Sequence, residues 1–399
     1  MSRIALPLAV LLAAVAQPAL AADRLAQIHA AALPFDAHTD IAESFDPAGS
    51  QQQGQFSLAL AAKGGLRGAA IAVFAPQEGD GADFVVRARA IADRKDAIIH
   101  GIANAFPAKA AIALSPADFR RITASGRFAI VESVVNGGAF VGTPADVDLW
   151  AKRGVRVFGF VHAGHNVLAD SSRPALARGE QASRHGGLSA AGKAVLARLN
   201  DDGILVDVSQ LSDPAFDDVL RLSRAPVIAT HSNLRAIVDN SRNLTDAQLD
   251  AIKAKGGVVA VNAFSAYLRP RDPAFTARLE ALKREYGIDG PSGAALSPEK
   301  AREYDRIYHE LRATEPRASV EDLVGAVDYV VKRIGIDHVA LSTDFNHGGG
   351  IAGWQDEGES AAVTAALLHH GYTQDQIAKI WSGNFLRVWA AAQAAAHKS

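Results

Sequence analysis

Eight short apolar runs, rich in β-branched residues, alternate with helical patterns along the 399-residue chain, and this alternation predicts an α/β fold, a (β/α)8 TIM barrel. Most of the runs are continuously apolar, as is typical of parallel strands that are covered on both faces. No Gly-x-Gly-x-x-Gly follows a strand, which argues against the main alternative, an open doubly wound sheet. The predicted strands are Pro34–His38, Leu66–Phe74, Arg127–Val135, Val155–Val161, Ile204–Ser209, Val227–His231, Gly257–Phe264 and His338–Asp344.

The helices between these strands have recognisable ends. Ser189 is the predicted N-cap of a helix that ends before Gly203, and Ser319 is the predicted N-cap of a longer helix with an apolar stripe. Two further helices begin with the Thr-x-x-Gln spacing of a capping box, in which side chains and backbone N–H groups bond reciprocally. These two starts are Thr245–Gln248 and Thr373–Gln376.

Two stretches depart from the alternation, residues 46–57 and residues 267–318. The first is a polar loop that follows the first predicted strand. The second is charged and helical in pattern, and it lies between the seventh strand and the helix that belongs to it. We interpret it as a helical excursion on the barrel, so residues 22–399 are expected to form a single domain.

The first 21 residues have the pattern of a secretory signal peptide. Arg3 supplies a positive charge, residues 4–16 are apolar, and Ala19-Leu20-Ala21 is a small-x-small cleavage site, which places cleavage near Ala21. The apolar run is too short to span a bilayer comfortably, which makes a membrane anchor the weaker alternative. We therefore expect an exported, periplasmic protein whose mature form has no membrane span.

Composition excludes several classes of partner and site. The chain has 41 Lys plus Arg against 43 Asp plus Glu, a formal net charge of −2, so no nucleic-acid partner is expected. It has no cysteine, which excludes disulfides, thiolate zinc sites, iron–sulfur clusters and a catalytic thiol. Composition does not exclude a site built from histidine, aspartate and glutamate side chains.

Imidazole and carboxylate side chains follow the predicted strands. Because the C-terminal ends of barrel strands converge on one mouth, these side chains should meet there. Histidine nitrogens and aspartate oxygens hold divalent ions that activate water, and a free carboxylate nearby can carry the proton. The pattern therefore predicts metal-assisted hydrolysis at this mouth. The strand-end motifs are DAHTD (36–40), HAGHN (162–166), DVSQ (207–210), HSN (231–233), Asn262 and DFN (344–346).

Each of these residues also has a structural alternative. His38 and Asp40 share one strand face and could form a hydrogen bond alone; His231 could be a satisfied core histidine, and Asp344 could cap a turn. Their joint occurrence at strand ends favours the metal site. Other histidines lie in helical or loop contexts and are expected at the surface, namely His29, His100, His185, His369, His370 and His397.

Seven stretches, in order, resemble the membrane dipeptidase (renal dipeptidase, peptidase M19) family over nearly all of the mature length. The resemblance implies a (β/α)8 barrel of the metallo-dependent hydrolase type, with a two-zinc centre that hydrolyses dipeptides and often tolerates a D-residue at the C-terminal position. Such proteins are commonly dimers, so it also implies a homodimer. The stretches are FDAHTDI, GVRVFGFVHAGHNVLADS, HGGLSAAGKAVLARLNDDGILVDVSQLSD, APVIATHSNLRAIVDNSRNLTDAQL, GGVVAVNAF, HVALSTDFN and GNFLRVW.

The resemblance also implies catalytic and substrate-binding roles. Asp344 matches the acid/base carboxylate, and His162 matches the histidine that contacts the substrate and its tetrahedral intermediate. Arg242 matches the arginine that binds the terminal carboxylate of the substrate, a bidentate task that suits a guanidinium group.

The metal-ligand positions match only in part. His38 and Asp40 match ligands of the first zinc, and His231 matches a ligand of the second. The glutamate that bridges the two zincs in the family falls on Val135, and a histidine ligand falls on Gln210, whose neutral amide oxygen is a poorer zinc ligand.

Glu132 is a candidate replacement for the bridge. It lies three residues before Val135, an odd offset that points it to the opposite strand face unless a bulge intervenes. We therefore expect a centre with one zinc ion rather than two.

These observations favour an exported metallodipeptidase that cleaves small dipeptides by metal-activated water. The alternative is a dipeptidase homologue with an altered site, acting as a periplasmic binding or maturation protein for a small peptide-like molecule. Both readings expect a small peptide as the partner.

Overall fold

The computed structural model describes residues 22–49, 54–287 and 297–396. Its parallel strands are β1 (Phe35–Thr39), β2 (Gly68–Phe74), β3 (Ala110–Ile112), β4 (Phe128–Val135), β5 (Val155–Gly159), β6 (Leu205–Asp207), β7 (Ile228–Ala229), β8 (Val258–Asn262) and β9 (Val339–Ser342). They form one sheet in the order β1-β2-β4-β5-β6-β7-β8-β9, and β3 pairs with β4 beside that path. The predicted signal peptide, residues 1–21, lies outside the described residues.

The sheet closes on itself between its first and last strands. The backbone N–H of Asp344 donates to the carbonyl of His38 (3.0 Å), and the N–H of Asp40 donates to the carbonyl of Phe345 (3.0 Å). These bonds continue the ladder from β1 to the end of β9 and leave no open edge there. The eight-stranded α/β barrel predicted from the sequence is thereby confirmed.

Each of the eight predicted strands is present, with ends that differ by a few residues. The short strand β3 was not predicted, because three residues are too few for a periodicity to be recognised. It runs parallel to the beginning of β4, with Ala110 opposite Phe128.

Helices surround the barrel, and their starts are those expected from the caps. Ser189 accepts a hydrogen bond from the backbone of Gly192 (2.9 Å), and Ser319 begins a helix with a capping box. The capping boxes of Thr245–Gln248 and Thr373–Gln376 are also present. The helices are α1 (residues 22–31), α2 (Leu58–Gly64), α3 (Ala82–Ala105), α4 (Pro116–Ala124), α5 (Pro144–Arg153), α6 (Ala190–Asp201), α7 (Asp213–Leu222), α8 (Asp246–Ala254), α9 (Ser265–Leu268), α10 (Pro273–Tyr286), α11 (Pro298–Ala313), α12 (Val320–Ile334), α13 (Ala361–His369), α14 (Gln374–Ala378) and α15 (Asn384–Ala394).

The predicted helical excursion corresponds to α10 and α11, within the described parts of residues 267–318. The two helices pack on each other through a small cluster that contains Leu282 and Tyr304. Across residues 22–49, 54–287 and 297–396, no helix combines the length and apolar composition needed to cross a bilayer.

Helix α15 covers the end of the barrel at which the strands begin. The ring of Phe385 lies 4.4 Å from the ring of Phe35 at the start of β1, and both side chains are buried in the cluster that fills the barrel interior. The C-terminal strand ends therefore form the mouth at the other end of the barrel, as expected for this architecture.

Within the described residues, which do not include His397, one histidine that was expected at the surface is in fact buried. His29 on α1 contacts the hydroxyl of Thr364 (2.6 Å) through Nδ1 and the carbonyl of Gly64 (2.8 Å) through Nε2. Burial lowers its pKa, which keeps the ring neutral. The expectation was wrong because a helical context does not indicate which face of the helix is covered.

Candidate metal centre

The closure of the barrel brings three predicted site residues together. His38 and Asp40 lie at the end of β1, and Asp344 follows β9. His38 Nε2 lies 3.4 Å from Asp40 Oδ2 and 3.6 Å from Asp344 Oδ1. One ligand atom from each residue lies within 4.8 Å of the other two, and all three residues are buried.

The carboxylates around His38 give this group a negative charge that favours a bound cation. Burial alone would lower the pKa of His38, but the hydrogen bond to Asp40 and the negative charges around the ring raise it to about 9. The Oδ1 atom of Asp40 is buried and has no hydrogen-bond partner within the described chain. An imidazole with two carboxylates, one of them with a free oxygen, is a donor set that fits a single divalent ion.

His231 lies beside this group, with its Nε2 atom already bonded. The hydroxyl of Thr230 donates to Asp207 (2.5 Å), so it accepts from Nδ1–H of His231 (2.7 Å). The lone pair on Nε2 of His231 then accepts from the amide of Gln210 (3.0 Å), and Gln210 Oε1 accepts from Arg173 (2.6 Å). A directed chain of hydrogen bonds thus runs from Arg173 to Asp207, and metal ligation by His231 would require Gln210 to turn away.

His162 faces the same guanidinium group. Its Nε2 atom lies 3.3 Å from Nη2 of Arg173, which donates to it. Burial and then the charge of Arg173 lower the pKa of His162 well below its ordinary value. The ring is therefore neutral, as it also is in His231, whose pKa is lowered by burial and by the neighbouring His38.

Arg242 completes the polar lining. It is buried, donates to the carbonyl of His231 (2.7 Å) and to the hydroxyl of Ser232 (3.3 Å), and lies 5.5 Å from the ring centre of Tyr267. Its Nε–H has no partner in the described structure. The mouth therefore combines two guanidinium groups, those of Arg242 and Arg173, with the carboxylates of Asp40 and Asp344.

His347 is a mouth residue that sequence reasoning missed. Its Nδ1 atom lies 3.6 Å from Oδ2 of Asp40, and its ring packs against Phe74 and His162, with ring centres 4.8 and 4.9 Å apart. It follows Asp344 by three residues, so extending the motif after β9 by one position would have found it.

Val135 and Glu132 lie on opposite faces of β4. Val135 is buried at the end of the strand, in register with Phe74, whose ring contacts His162. Glu132 points outward and contacts His100 Nε2 (3.1 Å) on α3. Glu132 therefore does not replace the missing bridge, as its odd offset predicted.

The backbone at the mouth is unusual at several strand ends. Gln210 and Asp344 have positive φ values of 71° and 56°, a left-handed conformation that costs non-glycine residues energy and is concentrated at functional sites. Asn136 and Asn346, after β4 and β9, share this conformation. The amide of Asn262 additionally reaches Asp344 Oδ2 at 3.4 Å. These backbone turns aim the side chains of Gln210 and Asp344 into the mouth.

Comparison with known proteins shows the family and the fold of this chain. The model of the membrane dipeptidase family (peptidase family M19) matches residues 22–399. A structure described as the probable dipeptidase PvdM from Pseudomonas aeruginosa is 39% identical, has a TM-score of 0.85, and covers 94% of this chain and 98% of its own. A metallo peptidase from Rhodobacter sphaeroides, liganded with a phosphinate mimic of the dipeptide L-Ala-D-Ala, is 23% identical with a TM-score of 0.69, over 90% of this chain and 99% of its own, and shows the same fold.

Dipeptidase aclJ of Aspergillus oryzae is 27% identical over 294 residues, which are 73% of this chain. The match covers 58% of the fungal protein, so the chain spans a little over half the length of that relative. Because the family model covers the whole described barrel, the chain belongs to the membrane dipeptidase family, peptidase family M19.

Proposed function

We propose that this protein is a hydrolase of small dipeptides that depends on one divalent ion, expected to be zinc, at the barrel mouth. The observation that carries the proposal is the buried group of His38, Asp40 and Asp344, whose ligand atoms lie within 4.8 Å of one another. His38 and Asp40 would hold the ion, His231 would be available as a further ligand once Gln210 releases its Nε2 atom, and Asp344 would stand beside the ion as the base.

The chemistry follows from the residues around this group. A divalent ion bound there would lower the pKa of its water towards neutrality. Asp344 would serve as the base that takes a proton from the attacking water and passes it to the leaving amine, because its carboxylate lies 3.6 Å from His38, which would hold the ion. His162 stabilises the negative charge that develops on the carbonyl oxygen, with the charge of Arg173 behind it.

A small peptide with a free terminal carboxylate suits the guanidinium groups of the mouth. Arg242 binds this carboxylate through the free Nε–H and the remaining guanidinium hydrogens. The Rhodobacter enzyme binds a mimic of L-Ala-D-Ala, which supports dipeptides with a C-terminal D-residue as the first substrates to test.

One ion, rather than two, is consistent with the substitutions in the mouth. Val135 offers no ligand atom, and the Gln210 amide is engaged by Arg173 and His231.

We also propose that residues 1–21 direct export to the periplasm and that residues 22–399 act as one domain, as a monomer or a homodimer.

Metal content and dipeptide hydrolysis test the proposal together. Protein purified without added zinc, and again after zinc incubation and gel filtration, should hold about one ion per chain more than Asp40→Asn treated in the same way, and should hydrolyse a panel of L,L- and L,D-dipeptides. Asp40→Asn should lose that ion and the activity. An active protein whose activity survives metal chelation and Asp40→Asn would contradict the proposal.

A second candidate is a binding or maturation protein for a peptide-like molecule. The observation that favours it is the hydrogen-bond chain from Arg173 to His231, which occupies a ligand position with a positive charge nearby. It expects dipeptide binding, measured by calorimetry, without turnover in the zinc-loaded protein. Turnover that requires Asp344 would reject this candidate in favour of the hydrolase.

A further inference from the structure

A second cluster of metal-ligand side chains lies outside the barrel wall. It joins Asp96 and His100 of α3 to Glu132 of β4. Glu132 belongs to the outward face of its strand, and the neighbouring Gly154 immediately precedes β5. The cluster therefore lies near the end of the barrel at which β5 begins, separated from the mouth by the sheet.

The spacing of its ligand atoms suits a metal ion. His100 Nε2 lies 3.1 Å from Glu132 Oε2 and 3.7 Å from Asp96 Oδ1. Ligands bound tetrahedrally at about 2.0–2.1 Å are separated from each other by about 3.3 Å. Both carboxylates thus lie near this separation from the imidazole nitrogen, and the three ligand atoms all lie within 4.8 Å of one another.

The two carboxylates lack sufficient partners of their own. The Glu132 side chain is 0% exposed, yet its Oε1 atom has no hydrogen-bond partner in the described parts of the chain, and neither has Asp96 Oδ1. Arg153 approaches Asp96 Oδ2 only at 3.8 Å and is engaged by Asp93 at 2.5 Å. An unbonded oxygen on a buried carboxylate such as that of Glu132 is costly unless a cation accompanies it, and Asp96, whose side chain is 19% exposed, lies close enough to share that cation.

The approach to the cluster is open. The His100 side chain is 35% exposed, and Gly154 leaves the space beside it free. A Cβ atom at position 154 would lie 3.3 Å from Glu132 Oε2 and 3.7 Å from His100 Nε2, and the φ of 125° there disfavours any larger residue. An ion and a water ligand can therefore reach the three side chains from solvent.

We propose that Asp96, His100 and Glu132 form a second site for a divalent cation of the zinc type, independent of the barrel mouth. One imidazole and two carboxylates are ligands that zinc accepts, and water completes the four-coordinate set. The site links α3 to β4, so its effect is to stabilise the barrel rather than to take part in the reaction.

The test separates this site from the mouth by double substitution. In the Asp40→Asn background, which removes the mouth ion, zinc binding by calorimetry and thermal unfolding with and without zinc are compared with those of Asp40→Asn/His100→Gln. His100 is partly exposed, so its substitution preserves folding better than a change at Glu132. The proposal expects about one zinc ion per chain and a zinc-dependent rise in Tm in the first variant, and loss of both in the second.

Equal zinc binding in the two variants, or none in either, would overturn the proposal; in the latter case the carboxylates share a proton instead. His100→Gln in the otherwise natural chain provides the matched control. It should lose this site and keep both the mouth ion and any dipeptidase activity, so failure of the outer site and failure of the proposed hydrolase remain distinguishable.

Discussion

The imidazole rings of His38 and His231 stack face to face at the barrel mouth, with centres 3.9 Å apart and planes inclined by 13°. Their surroundings shift the pKa values of the two rings in opposite directions. The carboxylate of Asp40 raises the pKa of His38 against the effect of burial, while burial and the charge of His38 lower that of His231. The negative charge of the site is therefore concentrated around His38, on the side of Asp40, where a bound cation would take the place of the imidazole proton.

Restoring the lost ligands should give a second ion site whose affinity stays low until Arg173 is also removed. Val135→Glu/Gln210→His supplies the bridging carboxylate and the imidazole, but the guanidinium charge beside position 210 repels a dication. Adding Arg173→Met should raise the affinity for the second ion by about 10-fold or more. The measurement is zinc stoichiometry and affinity by calorimetry.

Arg173→Lys is the matched control for this experiment, because it keeps the charge and should keep the low affinity for the second ion. His100→Gln is included in every variant so that zinc bound outside the barrel does not enter the count. If Met and Lys at position 173 gave the same affinity, charge would not be what excludes the ion.

Arg242→Ala should raise KM for dipeptides with a free carboxylate by about 10-fold or more, because it removes a charge-assisted hydrogen bond of roughly 1.5–3 kcal/mol. The side chain also supports the carbonyl of His231 and the hydroxyl of Ser232. C-terminally amidated dipeptides therefore serve as the control, since a purely structural role would raise KM equally for both. An unchanged KM for the free acids would reject carboxylate binding by Arg242.

Asp344→Asn should lower kcat by about 10²–10⁴-fold while the mouth ion stays bound, because the amide keeps the shape of the carboxylate but cannot accept the proton. Steady-state kinetics and metal content of the same preparation check both halves of the prediction. Loss of the ion together with the activity would instead make Asp344 a ligand, which its 3.6 Å separation from His38 also permits.

Glu357 should make the protein less stable as the pH rises. Burial, and then the neighbouring charge of Asp36, raise the pKa of this carboxyl well above its ordinary value of 4.5. A group whose pKa is raised in the folded state stabilises it fully below pH ~4.5, and that contribution is lost as the pH rises through the folded pKa. Glu357→Gln does not titrate, so its stability relative to the natural protein should increase with pH.

Urea unfolding at several pH values between about 5 and 8 measures this difference. Glu78→Gln, at an exposed position, is the control and should leave the pH dependence unchanged. A constant difference between Glu357→Gln and the natural protein across this range would show that Glu357 stays ionised in the folded state.

Local sequence patterns were sufficient to predict the strands, the helices and the residues that lie at the barrel mouth. A continuous apolar run such as residues 128–135 indicates a strand covered on both faces, and a cap such as Ser189 indicates a helix start, because both depend on neighbours within a few residues. The same reasoning placed His38, Asp40 and Asp344 at one mouth, since parallel strands share a direction. The three-residue strand β3 was too short to carry such a pattern.

The sequence by itself therefore determined the barrel, the strand-end residues and the absence of the usual ligands at Val135 and Gln210. Only the tertiary structure decided which polar groups contact one another. Arg173 donates to Gln210, whose amide in turn occupies Nε2 of His231. His347 lies beside Asp40, and Glu132 contacts His100 on the outer face of the barrel. The physical reason is that hydrogen bonds and charges act through space between residues tens of positions apart, and no local periodicity records those distances.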